Sequence, residues 1–151
     1  MKIIVDDLRG PEIAALLESH LDLMRSQSPP ESVHALDLDS LRRPEITFWT
    51  AWQGEALLGC GALKQMENGE GEIKSMHTAK IARGKGIAAK LLNHLEDHAR
   101  SNGLTCLNLE TGSQDGFAPA RMLYSKFGYA ICPPFGDYAE DPNSTFMTKV
   151  L

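Results

Sequence analysis

The sequence predicts a single-domain α/β fold in which helices cover both faces of a mixed, mostly antiparallel sheet. The chain has 151 residues, of which 42% are hydrophobic and 23% charged, a composition typical of one globular domain. This excludes a disordered or collagen-like chain. The hydrophobic pattern switches between helical and strand-like spacing in the order β-α-α-β-β-β-α-β-α-β-β. Neither a doubly wound parallel fold nor a purely antiparallel fold has that order, so we interpret residues 1–151 as one mixed domain.

The first elements follow from local signals. Lys2 to Val5 is predicted to be a short strand. Gly10-Pro11 begins a helix of about four turns, because proline fits the first helical turn and the residues of the apolar face follow at helical spacing. A second short helix is predicted from Val33 to Leu41, and Arg43-Pro44 ends it. The residues on the apolar face of the first helix are Ile13, Leu16, Leu17, His20, Leu21 and Met24, and those of the second are Leu36, Leu38 and Leu41.

The middle of the chain changes to strand spacing. Ile46 to Trp52 is rich in aromatic and β-branched residues, and Gln53-Gly54-Glu55 is a turn signal that leads into Ala56 to Leu63. A second turn, Glu67 to Gly71, leads into Glu72 to Thr78. We therefore expect three consecutive antiparallel strands.

The second half of the chain alternates helix and strand signals. Gly84 to Ser101 carries apolar residues at helical spacing, and Asn102-Gly103 ends this helix. The remaining predicted elements are a strand from Leu104 to Glu110, a helix from Ala118 to Phe127, and strands from Tyr129 to Cys132 and from Thr145 to Val150.

The charge balance, the apolar segments and the cysteines indicate which classes of protein this chain does not belong to. The 15 Lys and Arg residues against 20 Asp and Glu residues give a net charge of −5, which disfavours a dedicated nucleic-acid binder. No stretch approaches the roughly 18 apolar residues of a membrane span. Cys60, Cys106 and Cys132 lie far apart, without the close pairs that metal sites use. The sequence therefore predicts a cytoplasmic protein with reduced thiols, no metal site, and no membrane or nucleic-acid partner.

One motif points to a ligand. Arg83-Gly84-Lys85-Gly86-Ile87-Ala88, here the 83–88 loop, stands between a predicted strand and the long helix. Its glycines let the backbone approach a ligand, the helix start offers unpaired N–H groups, and Arg83 and Lys85 add positive charge. These features predict a diphosphate site. The Walker pattern and the dinucleotide pattern are both absent from the sequence, although an ordinary basic helix start remains an alternative.

The arrangement resembles the GNAT superfamily of acyl-CoA-dependent N-acetyltransferases. The family's loop pattern, R/Q-x-x-G-x-G/A, matches at Arg83, Gly86 and Ala88. The resemblance extends from about residue 46 to residue 150. The other matching segments are Glu72 to Thr78 for the central strand, Leu107 to Thr111 for the next strand, and Pro119 to Tyr129 for the A-x-x-L-Y-x-x-x-G-Y helix.

The resemblance implies acetyl-CoA as co-substrate and direct attack by a primary amine of a small molecule or a protein, within a possible homodimer. In this family the central strand and the next strand splay apart, and pantetheine lies in the gap. The backbone of Met76, His77 and Thr78 would hold pantetheine and the thioester. The backbone N–H groups of the loop would hold the diphosphate, and they belong to Arg83, Gly84, Lys85, Gly86, Ile87 and Ala88.

Two catalytic roles follow from the same resemblance. Tyr124 occupies the position of a tyrosine that protonates the departing thiolate, although a core tyrosine would show the same pattern. Glu72 is the predicted base, acting through a water, unless it is a surface residue near the turn. His77, His34 and Glu31 are alternative bases, and each of them also fits a structural or solvated role.

The sequence departs from the family at Phe117, where many relatives have asparagine, so we expect apolar surroundings for the pantetheine tail. An acyl-CoA-binding regulatory module without turnover is therefore an alternative function, and a plain nucleotide-binding domain is a third. The other polar and aromatic residues receive structural interpretations. These are a partly buried His20, solvent-facing His94 and His98, core packing for Trp49 and Trp52, with a substrate platform as the alternative, and a solvated loop for the acidic run Asp137 to Asp141, with attraction of an amine substrate as its alternative.

Overall fold

In the computed structural model, which describes residues 1–34 and 37–151, seven strands form one sheet in the order β1-β2-β3-β4-β5-β7-β6. All neighbouring strands are antiparallel except β4 and β5, which are parallel. The predicted mixed sheet and its three consecutive antiparallel strands, β2 to β4, are confirmed. The strands are β1 (Lys2–Val5), β2 (Ile46–Gln53), β3 (Ala56–Gln65), β4 (Glu70–Thr78), β5 (Cys106–Gly112), β6 (Ala130–Ile131) and β7 (Ser144–Val150).

Helices cover both faces of this sheet, as predicted. Side chains alternate across a strand, so Phe48 and Trp49 of β2 point to opposite faces. Phe48 packs in a buried cluster with α1 and α2, whereas Trp49 packs in a second cluster with α3 and α4. None of the helices in the described part of the chain is long and apolar enough to cross a membrane. The helices are α1 (Pro11–Gln27), α2 (Leu38–Leu41), α3 (Ile87–Ser101) and α4 (Ala118–Lys126).

The predicted helix from Val33 to Leu41 is wrong in extent. One 3-10 turn, Pro30–Ser32, is followed by extended backbone at Val33, and α2 begins only at Leu38. The side chain of Asp37 accepts a hydrogen bond from the Ser40 N–H at 2.8 Å, and such a cap marks a helix start. The predicted apolar residue Leu36 lies outside the described residues.

The long helix also begins later than predicted, at Ile87 rather than Gly84. Gly84 and Gly86 have φ angles of +76° and +78°, and a right-handed helix cannot contain such residues. The loop before α3 is therefore a distinct, left-handed turn. The other predicted helices and strands all occur, with ends shifted by a few residues.

The parallel pair β4–β5 opens into a wedge. The two strands pair from Glu70 opposite Cys106 to Ile73 opposite Leu109, and then separate. Beside the opening, the β3–β4 register shifts by one residue, and Ser75 has a φ of +56°. A bulge of this kind bends the strand, and bulges are common next to active sites. The splay that the family resemblance implied is present.

Glu96 is a buried carboxylate of α3 that ties the helix to the sheet. It is only 3% exposed and accepts hydrogen bonds from the Tyr129 hydroxyl at 2.8 Å and from the Lys149 ammonium at 2.9 and 3.0 Å. The Lys149 ammonium also lies over the rings of Phe127 and Tyr129, with centroids 5.9 and 5.6 Å away. This network joins α3, the end of α4 and β7 behind the cavity wall.

Candidate active site

A cavity of about 410 Å³ occupies the gap between β4 and β5. Its walls come from β4, from the end of β5, from α1 and α4, and from the loop that connects β6 to β7. The titratable side chains that line it are His20, His34, Glu72, Lys74, His77, Arg83, Glu110, Tyr124 and Tyr138.

The 83–88 loop lies at one end of the cavity, where Arg83 and Ala88 line the wall. Gly86 precedes the first turn of α3, whose N–H groups receive no side-chain cap from the described residues. Free N–H groups, the positive end of the helix dipole and the exposed side chains of Arg83 and Lys85 together suit an anion. Ile87 is buried, so it can contribute only its backbone.

The predicted pantetheine-binding residues Met76, His77 and Thr78 also line the cavity. They follow the last residue of β4 that pairs with β5, Ile73, so the edge of β4 that faces β5 is open along them. The Met76 side chain packs across β3: a Cβ atom added to Gly61 would stand 2.5 Å from its Sδ atom. This glycine therefore makes room for the bulge.

The buried His77 and the half-buried His20 form a pair. Their Nδ1 atoms are 3.2 Å apart, and the Nε2 atom of His77 has no hydrogen-bond partner within residues 1–34 and 37–151. Burial lowers the pKa of both rings to about 4, assisted at His20 by the charge of His77 and at His77 by the charge of Arg83. Both rings are therefore neutral at neutral pH, and His77 is a weak proton acceptor. The structural interpretation of His20 fits this contact between α1 and β4.

Glu72, the predicted base, lies inside the cavity rather than at the surface. Its Oε2 atom accepts hydrogen bonds from the Lys74 ammonium at 3.0 Å and from the Tyr138 hydroxyl at 2.6 Å. Lys74 also donates to the Tyr138 oxygen at 3.1 Å, and the side chains of Glu72 and Lys74 are less than a tenth exposed. Burial, followed by the charge of Glu72, raises the pKa of Tyr138, so its hydroxyl stays protonated.

The acidic run from Asp137 to Asp141 is therefore more than a solvated loop, because Tyr138 reaches from it into the cavity. The Tyr138 ring meets His34 edge-on at 5.0 Å and packs against Phe146 at 5.4 Å. Asp141 accepts a hydrogen bond from the hydroxyl of the buried Ser32 at 2.6 Å. The loop thus covers one end of the cavity. Sequence reasoning missed both Tyr138 and Lys74.

Glu110 is a second cavity carboxylate that sequence reasoning missed. It is half-buried, and burial is the main cause of a pKa raised above the usual glutamate range. Its place follows from the strand register rather than from a local sequence signal: Glu110 follows Leu109, the last residue of β5 paired with β4, and it shares a strand face with Asn108, which stands opposite Glu72.

Tyr124 is buried on α4, and it lines the cavity. Its ring packs edge-on against Tyr129 with centroids 5.8 Å apart, and burial raises the pKa of its hydroxyl, which is therefore protonated at neutral pH. Phe117 lines the same wall and packs against Gly112, where an added Cβ would collide with the ring. The apolar surroundings expected from Phe117 are present.

The other residues considered from the sequence lie outside the cavity wall. Glu31 is exposed and outside the cavity wall. The prediction that His94 and His98 face solvent is wrong, since both are half-buried against Trp49 with ring centroids 5.6 and 4.8 Å away. Trp49 packs in the core as expected. Within the described ranges, no three His, Cys, Asp or Glu side chains are grouped to hold a metal ion.

Comparison with known proteins adds to this geometry. The profile of the acetyltransferase (GNAT) family matches residues 13–129. The chain is 53% identical to the uncharacterized N-acetyltransferase YsnE of Bacillus subtilis over 151 residues, which span all of both chains. A Klebsiella pneumoniae structure assigned to the acyl-CoA N-acyltransferases superposes with a TM-score of 0.80 at 29% identity and covers 99% of this chain and 97% of its own.

The fold also matches a CoA-bound structure. A Bacillus subtilis acetyltransferase in complex with CoA superposes with a TM-score of 0.73 over 99% of this chain and 98% of its own, at 17% identity. That similarity concerns the fold alone, whereas the family profile and the YsnE relative concern the sequence. The chain therefore belongs to the GNAT family of N-acetyltransferases, the family that its 83–88 loop and its 119–129 segment predicted.

Proposed function

We propose that the protein transfers the acetyl group of acetyl-CoA to a primary amine by direct attack in a ternary complex. One observation carries this proposal. A single cavity runs from the helix start at the 83–88 loop, past the open edge of β4, to a buried tyrosine and two carboxylates. These are the groups that thioester aminolysis needs: an anion cradle, an oxyanion donor, an acid and a base.

Two parts of CoA, the diphosphate and the pantetheine arm, would fit the cavity. The diphosphate would bind the N–H groups at the start of α3 together with Arg83. The pantetheine arm would pair with the open edge of β4 from Met76 to Thr78, beside the apolar side chains of Phe117 and Leu123. A backbone N–H of this edge would donate to the thioester oxygen and stabilise its negative charge during attack.

Tyr124 would act as the general acid. Its hydroxyl remains protonated across the neutral range because burial raises its pKa, and it faces the cavity. The hydroxyl would give its proton to the CoA thiolate as the carbon–sulfur bond breaks. The resulting phenolate would take a proton from the newly bonded nitrogen, so the tyrosine is restored within one turnover.

The acceptor end of the cavity favours a cation. Glu72 and Glu110 carry two negative charges there, against one positive charge on Lys74. We expect a protonated primary amine, on a small molecule or at the end of a protein side chain, to enter this end. The amine must lose a proton to a carboxylate before it attacks the thioester.

Calorimetry and a thiol assay test the function. We expect acetyl-CoA to bind in preference to ATP and NAD, and we expect release of CoA thiol when members of a primary-amine panel are added. A preference for ATP would contradict the proposal. Acetyl-CoA binding without thiol release from any amine would instead favour the regulatory module that binds acyl-CoA without turnover.

Replacing Gly86 by alanine tests the proposed diphosphate cradle. Gly86 has a φ of +78°, and a Cβ there meets no described atom within 4 Å, so the substitution strains only the backbone. Such strain costs about 1–2 kcal/mol for a residue with a side chain. We expect acetyl-CoA, measured by calorimetry, to bind about tenfold more weakly to Gly86→Ala.

Gly54→Ala is the matched control. Gly54, in the turn between β2 and β3, also has a positive φ, +57°, and also has open space where a Cβ would stand. Both variants should lose similar thermal stability, but Gly54→Ala should bind acetyl-CoA like the wild type. Equal binding by the two variants would place the diphosphate elsewhere.

A further inference from the structure

We propose that Glu110 of β5, rather than Glu72 of β4, takes the proton from the ammonium group of the acceptor. This assignment rests on the proposed function and names the base of that reaction. Three features carry it: the place of Glu110 in the wedge, the hydrogen bonds that engage Glu72, and the charges around each carboxylate.

The first feature is position. Ile73 opposite Leu109 is the last β4–β5 pair, so Glu110 is the first residue of β5 beyond the point of separation. Side chains alternate along a strand, so Glu110 lies on the same face as Asn108, opposite Glu72. Its side chain therefore lines the cavity across the gap from the open edge of β4, where the thioester would lie.

The second feature is that Glu72 is already engaged. Its Oε2 atom holds both the Lys74 ammonium, at 3.0 Å, and the Tyr138 hydroxyl, at 2.6 Å. Both contacts are buried and occupy the same oxygen, so a proton from the acceptor would have to displace one of them at that oxygen. Glu72 therefore positions Tyr138, and with it the loop from β6 to β7, over the acceptor end.

The third feature is the set of groups that face Glu110 from the surrounding elements. Burial raises the pKa of Glu110 and outweighs Ser144 of β7, His34 and Lys74, which all act to lower it, while Glu72 adds to the rise. A carboxylate in this setting holds a proton more strongly than an ordinary glutamate. It is therefore better matched to receive one from an amine.

The proposed reaction starts from the ammonium form of the acceptor. The N–H bond of the acceptor ammonium breaks, and its proton moves to a Glu110 oxygen, directly or through one water molecule. The electron pair remains on nitrogen, which attacks the thioester carbon. The carbon–sulfur bond then breaks, Tyr124 protonates the thiolate and takes the remaining extra proton from the newly bonded nitrogen, and Glu110 later releases its proton to solvent. The net products are the acetylated amine, CoA thiol and one proton.

A titration that needs no acceptor tests the assignment first. Protein with ¹³C-labelled glutamate carboxyls would be titrated by NMR as wild type, Glu110→Gln and Glu72→Gln. We expect one carboxyl resonance of the wild type to titrate above the usual glutamate range, to vanish in Glu110→Gln and to persist in Glu72→Gln. If it vanishes in Glu72→Gln and persists in Glu110→Gln, or if Glu110 titrates in the usual range, the assignment is wrong.

Kinetics test it next, with any amine that the wild type acetylates. We expect Glu110→Gln to lower kcat/KM about 10²–10⁴-fold and to abolish the acidic limb of its pH profile, with acetyl-CoA binding unchanged. Glu72→Gln should keep the acidic limb, and Glu110→Asp should restore it with a lower rate even if Glu110→Gln folds poorly. Loss of the limb in Glu72→Gln alone would assign the base to Glu72. A wild type that binds acetyl-CoA but acetylates no amine would instead overturn the proposed function itself, and the role of Glu110 with it.

Discussion

We expect Tyr124→Phe to lower kcat for acetyl transfer about 10²–10⁴-fold, the range that a general acid contributes. The phenylalanine ring keeps the packing of Tyr124 in the cavity wall and against Tyr129, and removes only the hydroxyl that would protonate the CoA thiolate. The Kd for acetyl-CoA should therefore stay close to the wild-type value. Thiol release with a turned-over amine gives kcat, and calorimetry with acetyl-CoA gives Kd.

Tyr129→Phe is the control for this prediction. Tyr129 is a neighbouring buried tyrosine, but its hydroxyl donates to Glu96, away from the cavity. Its removal should lower thermal stability and leave kcat largely unchanged. An unchanged kcat in Tyr124→Phe would remove Tyr124 from the mechanism. Equal losses of kcat in both variants would point to shared packing rather than to proton transfer.

Local signals explain why so much of the fold was predictable. Gly54, in a two-residue turn between apolar runs, marks the β2–β3 hairpin, and Pro11 marks the start of α1. The predictions failed where a side-chain cap or a backbone angle sets the start of a helix. The Asp37 cap places the start of α2 later than predicted, and the positive φ of Gly86 does the same for α3, although the apolar residues of both segments have helical spacing.

The candidate site likewise has one part that the sequence predicted and another part that it did not. The 83–88 loop is contiguous in sequence, and its ligand chemistry can be read from six neighbouring residues. Tyr138 bonds to Glu72 across 66 positions of the chain, and His20 meets His77 across 57. Such contacts depend on how the elements pack, which no local spacing encodes. Glu110 became significant only when the register showed where β4 and β5 separate.

Glu72 shows how location and role can differ. Its place in the cavity matches the expectation for a base, yet its Oε2 atom already accepts hydrogen bonds from Lys74 and Tyr138, and we propose that Glu110 takes the proton instead. In that proposal, the residue that the family resemblance selected positions Tyr138 within the same cavity. Position in a motif identifies the wall of the site, while the partners of each side chain decide what that side chain can do.

We expect Glu96→Ala to lower the free energy of unfolding by about 3–5 kcal/mol, the usual effect of removing one partner from a buried ion pair. The substitution leaves the Lys149 ammonium, whose side chain is 19% exposed, without its carboxylate, and leaves the Tyr129 hydroxyl without its acceptor. A domain of this kind has only about 5–15 kcal/mol of stability in total. Urea denaturation of the variant and the wild type measures the loss.

Two further variants distinguish the stabilising effect of the buried Glu96 carboxylate from that of exposed charges on α3. Asp97, the next residue of α3, pairs with Arg100 at 3.4 Å but is 80% exposed, so Asp97→Ala should cost no more than about 1 kcal/mol. In Glu96→Ala with Lys149→Met, no unpaired charge is left in the interior, so much of the lost stability should return. If Glu96→Ala is no less stable than Asp97→Ala, or if the double variant recovers nothing, the Glu96–Lys149 pair does not hold α3 to the sheet.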